Sequence, residues 1–246
     1  MKILVPIKRV IDPYAKVKPL EDGSALNLSS VKFEINPFDE IAVEEAVRQK
    51  EKNPDIQITV VSLGGPEVED QLRKALAMGA DEAIHIESTD KFDSNSVAKE
   101  LMAVVKDLQP DVILMGKQTT DEDNNQTGQM LAAYLNIPQA TFASKVDFEP
   151  GKATVTRETD TGEEILQMPM SCLITTDLRL NEPRFIPLPG IIKARSKPLH
   201  KRERTTSDQP RVEILEYKAP PARSAGKKVA NVDELIAELQ AKGVIS

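Results

Sequence analysis

The 246-residue chain has no tryptophan, one cysteine, two histidines and only 4% aromatic residues. The single Cys172 leaves no partner for an internal disulfide, which fits a reducing compartment. It lies in a short apolar run, residues 170–174, and is predicted to be buried as a small hydrophobe. Two histidines and one thiol supply too few nitrogen and sulfur donors for a closed zinc site, so no metal is predicted. No apolar run approaches the ~20 residues that a membrane helix requires. The start, Met1-Lys-Ile-Leu-Val-Pro-Ile7, enters a strand pattern at once, which predicts no cleaved leader. Positive charge is in deficit as well: the net charge of −7 disfavours duplex nucleic acid as a partner. Catalytic signatures are also missing. There is no G-x-S-x-G elbow, no Gly-Lys-Ser/Thr triphosphate loop and no G-x-G-x-x-G between a strand and a helix.

What is present is an alternation of two periodicities. Continuous apolar, β-branched runs at residues 3–7, 58–63, 83–86, 112–115 and 140–143 predict strands. Helix-period runs at 38–52, 67–78, 97–108 and 129–135 lie among them; Gly79 ends the second and Pro110 stops the third. Such alternation predicts an α/β fold with a mostly parallel, doubly wound sheet covered on both faces. Ligands of such sheets sit beyond the carboxyl ends of the strands.

One loop falls at such an end. Residues 116–128 read Gly-Lys-Gln-Thr-Thr-Asp-Glu-Asp-Asn-Asn-Gln-Thr-Gly, between the fourth strand and the helix after it. A helix start offers amide groups without internal partners, and the helix dipole favours an anion there. Asn125, Gln126 and Thr127 add side-chain donors at the same end. Two readings stand: a phosphate cradle, or a capped helix start whose Asp, Asn and Thr serve as turn and cap residues. The carboxylates Asp121, Glu122 and Asp123 have the chemistry for a divalent cation or for a polar rim. Beside a phosphate they repel it unless Lys117 or a metal intervenes. His85, flanked by Ile84 and Ile86, reads as a sheet residue.

Beyond about residue 145 the pattern changes. Residues 153–157 and 164–168, joined by a turn at 160–162, predict a β-hairpin, and a strand follows at 171–176. Pro183, Pro187 and Pro189 exclude a regular helix or ladder strand from 181–190 and predict an exposed, semi-rigid loop. Lys193 to Arg204 is strongly basic, either a solvated linker or a docking segment for an acidic partner. A final helix at 232–242 carries Leu235, Ile236 and Leu239 as an apolar stripe, to cover either another subunit or its own domain. The expected division is residues 1–190 as a nucleotide-binding α/β domain, with hairpin and proline-rich loop, and 191–246 as an extended arm ending in a helix.

Five blocks now carry a resemblance: residues 8–12 (Lys-Arg-Val-Ile-Asp), 36–46 (Asn-Pro-Phe-Asp-Glu-Ile-Ala-Val-Glu-Glu-Ala), 75–81 (Ala-Leu-Ala-Met-Gly-Ala-Asp), the 116–128 loop, and 177–184 (Asp-Leu-Arg-Leu-Asn-Glu-Pro-Arg). With these the chain resembles, nearly end to end, the β subunit of electron transfer flavoprotein. The resemblance implies an adenine-nucleotide α-hydrolase-like fold and a subunit without catalytic activity of its own. It implies a structural AMP in this chain and an FAD held mainly by an α subunit, in a heterodimer. It further implies electrons received from acyl-CoA dehydrogenases and related flavoenzymes, as in fatty acid β-oxidation, and passed to a quinone oxidoreductase in the membrane.

The resemblance also assigns residues. AMP contacts would come from Pro6, Asn36, Pro37, Phe38, Asp39 and Leu63. The loop would add Gly116, Lys117, Gln118, Thr119, Thr120, Asp121, Glu122, Asp123, Asn124, Asn125, Gln126 and Thr127, the last three on the phosphate. Tyr14 and Phe38 would approach the FAD of the α subunit. Leu188 would anchor in a dehydrogenase pocket with Pro187, Pro189 and Ile191 beside it, and Lys193, Arg195 and Lys197 would steer the encounter by charge. In the family Pro6 is often alanine and Leu63 often smaller, and bifurcating relatives hold a second FAD where others hold AMP. Residues 123–128 (Asp-Asn-Asn-Gln-Thr-Gly) resemble the AMP type. The implied location is bacterial cytoplasm, or the mitochondrial matrix in a eukaryote. From the residues alone two other readings remain: a stand-alone adenine-nucleotide sensor, and an ATP-cleaving α/β enzyme. Against the second, residues 61–66 (Val-Ser-Leu-Gly-Gly-Pro) lack the Asp-Ser that completes a pyrophosphatase loop.

Overall fold

The computed structural model describes residues 1–245. Its strands are β1 (Lys2–Pro6), β2 (Arg9–Ile11), β3 (Lys18–Pro19), β4 (Leu26–Asn27), β5 (Phe33–Ile35), β6 (Gln57–Gly64), β7 (Glu82–Glu87), β8 (Val112–Gly116), β9 (Gln139–Glu149), β10 (Lys152–Thr159), β11 (Gly162–Pro169), β12 (Cys172–Thr176) and β13 (Leu199–Glu203). The helices are α1 (Pro37–Lys52), α2 (Glu69–Met78), α3 (Ser94–Leu108), α4 (Thr127–Leu135), α5 (Leu188–Ala194) and α6 (Val232–Ala241). Two compact units result: Met1–Val17 with Leu28–Ile214, and Lys18–Asn27 with the chain from Leu215 onward.

The larger unit is built on one sheet in the order β11-β10-β9-β12-β8-β1-β6-β7-β13. The seven strands from β9 to β13 run parallel, and β9, β10 and β11 form an antiparallel meander at the other edge. Period-2 side chains sort the core into two layers. Ile3 and Val5 of β1, Val112 and Leu114 of β8, and Cys172 and Ile174 of β12 join the layer under α1 and α2. Leu4, Ile113, Met115 and Leu173 point the opposite way and pack with Leu101 and Val104 of α3 and Leu131 of α4. Each fully buried Leu or Ile here stabilises the fold by about 1.5–3 kcal/mol. This is the doubly wound α/β sheet that the alternating runs predicted. Cys172 is buried, and burial pushes its thiol up to about 11, leaving it inert at neutral pH.

Local signals set the ends of the elements. Asp93 and Ser96 form a reciprocal capping box, which starts α3 three residues earlier than residue 97, where its apolar period begins. Helix α1 is held from outside by the 177–184 block. Arg184 donates to both oxygens of Glu44, and Asn181 Nδ2 donates to the Ile41 carbonyl and to Glu45. Burial raises the Glu44 carboxyl, but the Arg184 and Arg48 hydrogen bonds outweigh it and leave the group below its usual range.

Three expectations are corrected. The larger unit runs to Ile214 rather than to residue 190, because β13 joins the sheet edge beside β7. The basic run from Lys193 to Arg204 is therefore neither a free linker nor an open docking segment over its second half. Lys201 pairs with Glu69 and Glu87, Arg202 with Asp107, and Arg204 with Asp90, so its charges are matched by the acidic rim of the same unit. The proline-rich loop also ends earlier than residue 190, since α5 begins at Leu188. Pro189 is tolerated there because first-turn amides have no intrahelical partner.

In the smaller unit β3 pairs with β4, and the Tyr217 amide donates to the Gly23 carbonyl. Helix α6 is capped by Asn231, and Val232, Leu235 and Ile236 along it are exposed. Among the described residues no helix is long and apolar enough to cross a membrane.

Candidate functional site

Strand β1 lies between β6 and β8, and the chain winds outward from it in both directions. This is the topological switch point, where an open α/β sheet leaves a crevice beyond its carboxyl ends. A cleft of about 260 Å³ occupies that position, bounded by Pro6 ending β1, Leu63 near the end of β6 and Gly116 ending β8. One part is apolar, lined by Ile7, Val61, Leu63, Val97, Leu101 and Met115; another is polar, lined by most of the loop from Gly116 to Thr127.

The polar end is the start of α4. No side chain caps it, so its first-turn amides face the cleft without a protein acceptor. Two residues of the preceding loop, Asp123 and Asn125, take positive φ of 55° and 50°, a backbone region that Asp and Asn tolerate best. Gly128 is required by close approach: a Cβ there would lie 2.9 Å from Thr175 Cγ2 and 3.3 Å from Met115 Sδ. On the sheet side, Ser62 borders the cleft but is only 2% exposed; its sealed hydroxyl, without a hydrogen-bond partner, lies on the face opposite Val61 and Leu63, beside its register partner His85.

Asp39 ties this floor together. Its Oδ2 accepts the Lys8 amide at 2.8 Å and its Oδ1 accepts the Gly116 amide at 3.0 Å, joining the ends of β1 and β8 to the first turn of α1. Burial lifts the carboxyl to about 7, against the pull of those two amides, so near neutrality it is about half neutral. Gly116 permits the junction, because a Cβ there would meet Phe38 Cβ at 2.7 Å and the Asp39 amide at 2.9 Å. Lys8 Nζ pairs with Asp121 at 2.9 Å and Glu122 at 3.4 Å, and Lys117 Nζ pairs with Asp177 at 2.7 Å. Those carboxylates hold cations beside the loop, which supports the rim reading over a separate cation site.

Of the expected contact residues, Pro6, Asp39, Leu63, Gly116, Lys117, Gln118, Thr119, Glu122, Asn124, Asn125, Gln126 and Thr127 line the cleft. Asn36, Pro37, Phe38, Thr120, Asp121 and Asp123 lie outside its lining. Asn36 is a strut instead. Fully buried, it donates from Nδ2 to the Gln118 carbonyl at 2.8 Å and accepts the Thr120 amide on Oδ1 at 3.2 Å, fixing the loop over α1. Phe38 is 8% exposed with Lys117 Nζ 5.2 Å from its ring centroid, whereas Tyr14 is 93% exposed. Leu188 is 68% exposed, and Ile191, Lys193 and Arg195 are open to solvent around it. Lys197 is not free for charge steering. Its ammonium caps the end of α2, donating to the Leu76 and Ala80 carbonyls.

The Electron transfer flavoprotein domain family matches residues 25–207. The chain belongs to the electron transfer flavoprotein family. Its similarity to individual members extends over its whole length. The electron transfer flavoprotein subunit beta of Bradyrhizobium diazoefficiens is 46% identical over 245 residues, 98% of each chain. That of Dictyostelium discoideum is 45% identical over 248 residues, 100% of this chain and 99% of the other. The human subunit beta is 40% identical over 252 residues, with the same coverage. These family members are beta subunits by name, which implies an alpha subunit in their assemblies. Ser62, Val97 and Leu101 went unnoticed as cleft residues in the sequence. Each sits within an ordinary apolar element and gains its place only through sheet register and helix rotation.

Proposed function

We propose that this chain is the beta half of a heterodimeric electron carrier, redox-silent itself, which buries one AMP and supports the FAD of an alpha subunit. The observation that carries the AMP reading is the cleft at the switch point, with an apolar wall on one side and the uncapped start of α4 on another. A monophosphate suits that helix end, where backbone amides and the dipole favour an anion. The half-neutral Asp39 and the paired Asp121 and Glu122 limit repulsion from the carboxylates close by. The apolar part, from Val97 to Leu101 and Met115, suits a purine base.

Asn36 acts through the loop in this reading rather than by touching the nucleotide. Exposed Tyr14 is the aromatic available to a flavin on a partner, and Phe38 sits behind Lys117. Exposed Leu188, on a helix start that two prolines stiffen, suits a small reversible contact with a donor dehydrogenase. A membrane quinone oxidoreductase completes the route, and the arm from Leu215 onward, with the open stripe of α6, is the part we assign to the alpha subunit.

The test is chemical. The complex is purified with its alpha subunit and denatured, and the released nucleotides are separated and counted. One AMP and one FAD per heterodimer are expected. Two FAD, or FAD without AMP, would overturn the assignment of the cleft.

A further inference from the structure

A second group of ligating atoms lies apart from the nucleotide cleft, on β7. Glu69 at the start of α2 and His85 and Glu87 on β7 bring one carboxylate oxygen, one ring nitrogen and one carboxylate oxygen within 4.8 Å of one another. His85 is 0% exposed. Its Nε2 is 2.9 Å from the Gly64 carbonyl, which can only accept, so Nε2 carries the proton and donates. In the neutral ring Nδ1 is then a lone pair. It has no hydrogen-bond partner and faces Glu69 Oε1 at 3.5 Å.

Two acceptors turned toward each other, one of them buried, call for a cation between them. A ring whose far nitrogen is fixed by a backbone carbonyl has the tautomer and orientation that metal-ligating histidines use. The cation now at the rim is Lys201 Nζ, 2.6 Å from Glu69 and 3.1 Å from Glu87. It serves both carboxylates but leaves Nδ1 unserved.

We propose that Glu69, His85 and Glu87 form a site for one divalent transition-metal ion, with Lys201 swinging out to solvent as the ion enters. One imidazole and two carboxylates suit Zn2+ and its neighbours better than Mg2+ or Ca2+, which prefer all-oxygen sets. Ligand atoms ~2.0–2.2 Å from a zinc ion are less than ~4.4 Å apart, so the observed spread requires only a slight closure. Such an open, three-ligand arrangement differs from the closed Cys/His sites that the sparse cysteine and histidine content excludes.

The probe is Zn2+, titrated calorimetrically into the full chain co-purified with its alpha subunit. One equivalent is expected to bind saturably. Glu69→Gln and Glu87→Gln, both at solvent-accessible positions, should each weaken it by roughly tenfold or more. Lys201→Ala removes the competing ammonium and should tighten it roughly five- to tenfold. His85→Asn reports on the ring nitrogen, and the two carboxylate variants keep the test valid should that buried change unfold the chain. No saturable binding by the unmodified chain overturns the proposal, as does binding that both carboxylate variants leave unchanged or that His200→Ala abolishes.

Discussion

Asp39→Asn removes a buried titrating group and leaves its shape. The folded carboxyl is lifted from 3.8 to about 7, with burial the dominant cause and the Lys8 and Gly116 amides opposing it. A rise of that size corresponds to ~4 kcal/mol between the fully neutral and fully ionised limits. The sign follows from which state holds the proton. The folded protein holds it more tightly, so this contribution is fully present below pH 3.8 and is lost as pH rises through about 7. Asparagine does not titrate and loses nothing. The hydroxyl oxygen of the neutral acid still accepts its amide, whereas the Asn side-chain NH2 cannot, so the variant starts below the wild type at low pH. The variant should then gain on the wild type, by roughly 2–3 kcal/mol between about pH 5 and about pH 8. Urea unfolding of nucleotide-free protein at steps across that window measures it, with the slope compared at each pH to exclude a change in unfolded-state exposure. Parallel stability curves would refute the reasoning. So would a wild type that gains with pH, which would mean that the two amide donors outweigh desolvation and hold an ordinary ionised carboxylate.

Gly128→Ala should cost about 1–3 kcal/mol in urea unfolding, because the new Cβ meets Thr175 and Met115. The same change displaces the α4 amides and should lower the AMP recovered with the purified complex; full recovery would sink the helix-end assignment. Asn36→Ala orphans the Gln118 carbonyl and the Thr120 amide, a loss of about 1–3 kcal/mol. Hydrogen exchange should rise locally over residues 117–123, and an unchanged exchange pattern there would remove the strut role. Leu188→Ala, at an exposed position, should leave stability within about 0.5 kcal/mol of wild type. Electron acceptance from a dehydrogenase donor should slow, and an unaltered rate constant would move the docking contact elsewhere.

The parts of this fold that were legible in the sequence are those whose signal is local. Strands β1, β6, β7 and β8 read as strands because both faces are covered and the apolar runs are unbroken. The strand, polar loop and helix from β8 to α4 were legible because Gly116, the loop and the following helix are contiguous in the chain. What failed was information held far away. β13 has the composition of a solvated linker, and it is a strand because Glu69, Glu87, Asp107 and Asp90 supply the charges that its Lys and Arg residues lack. Ser62 carries no signal of its own in the sequence, and only the place of β6 beside β1 brings that residue to the border of the cleft.

Asn36 shows why residue type alone leaves such positions ambiguous. An amide beside a phosphate loop has the same donors and acceptors whether it meets a ligand or meets the backbone of the loop. Here both ends of the amide are already committed, to the Gln118 carbonyl and the Thr120 amide. A buried amide with both ends engaged has little left to offer a nucleotide. Side-chain satisfaction therefore favours a positioning role for Asn36, exerted through the loop, over the direct contact that the resemblance implies.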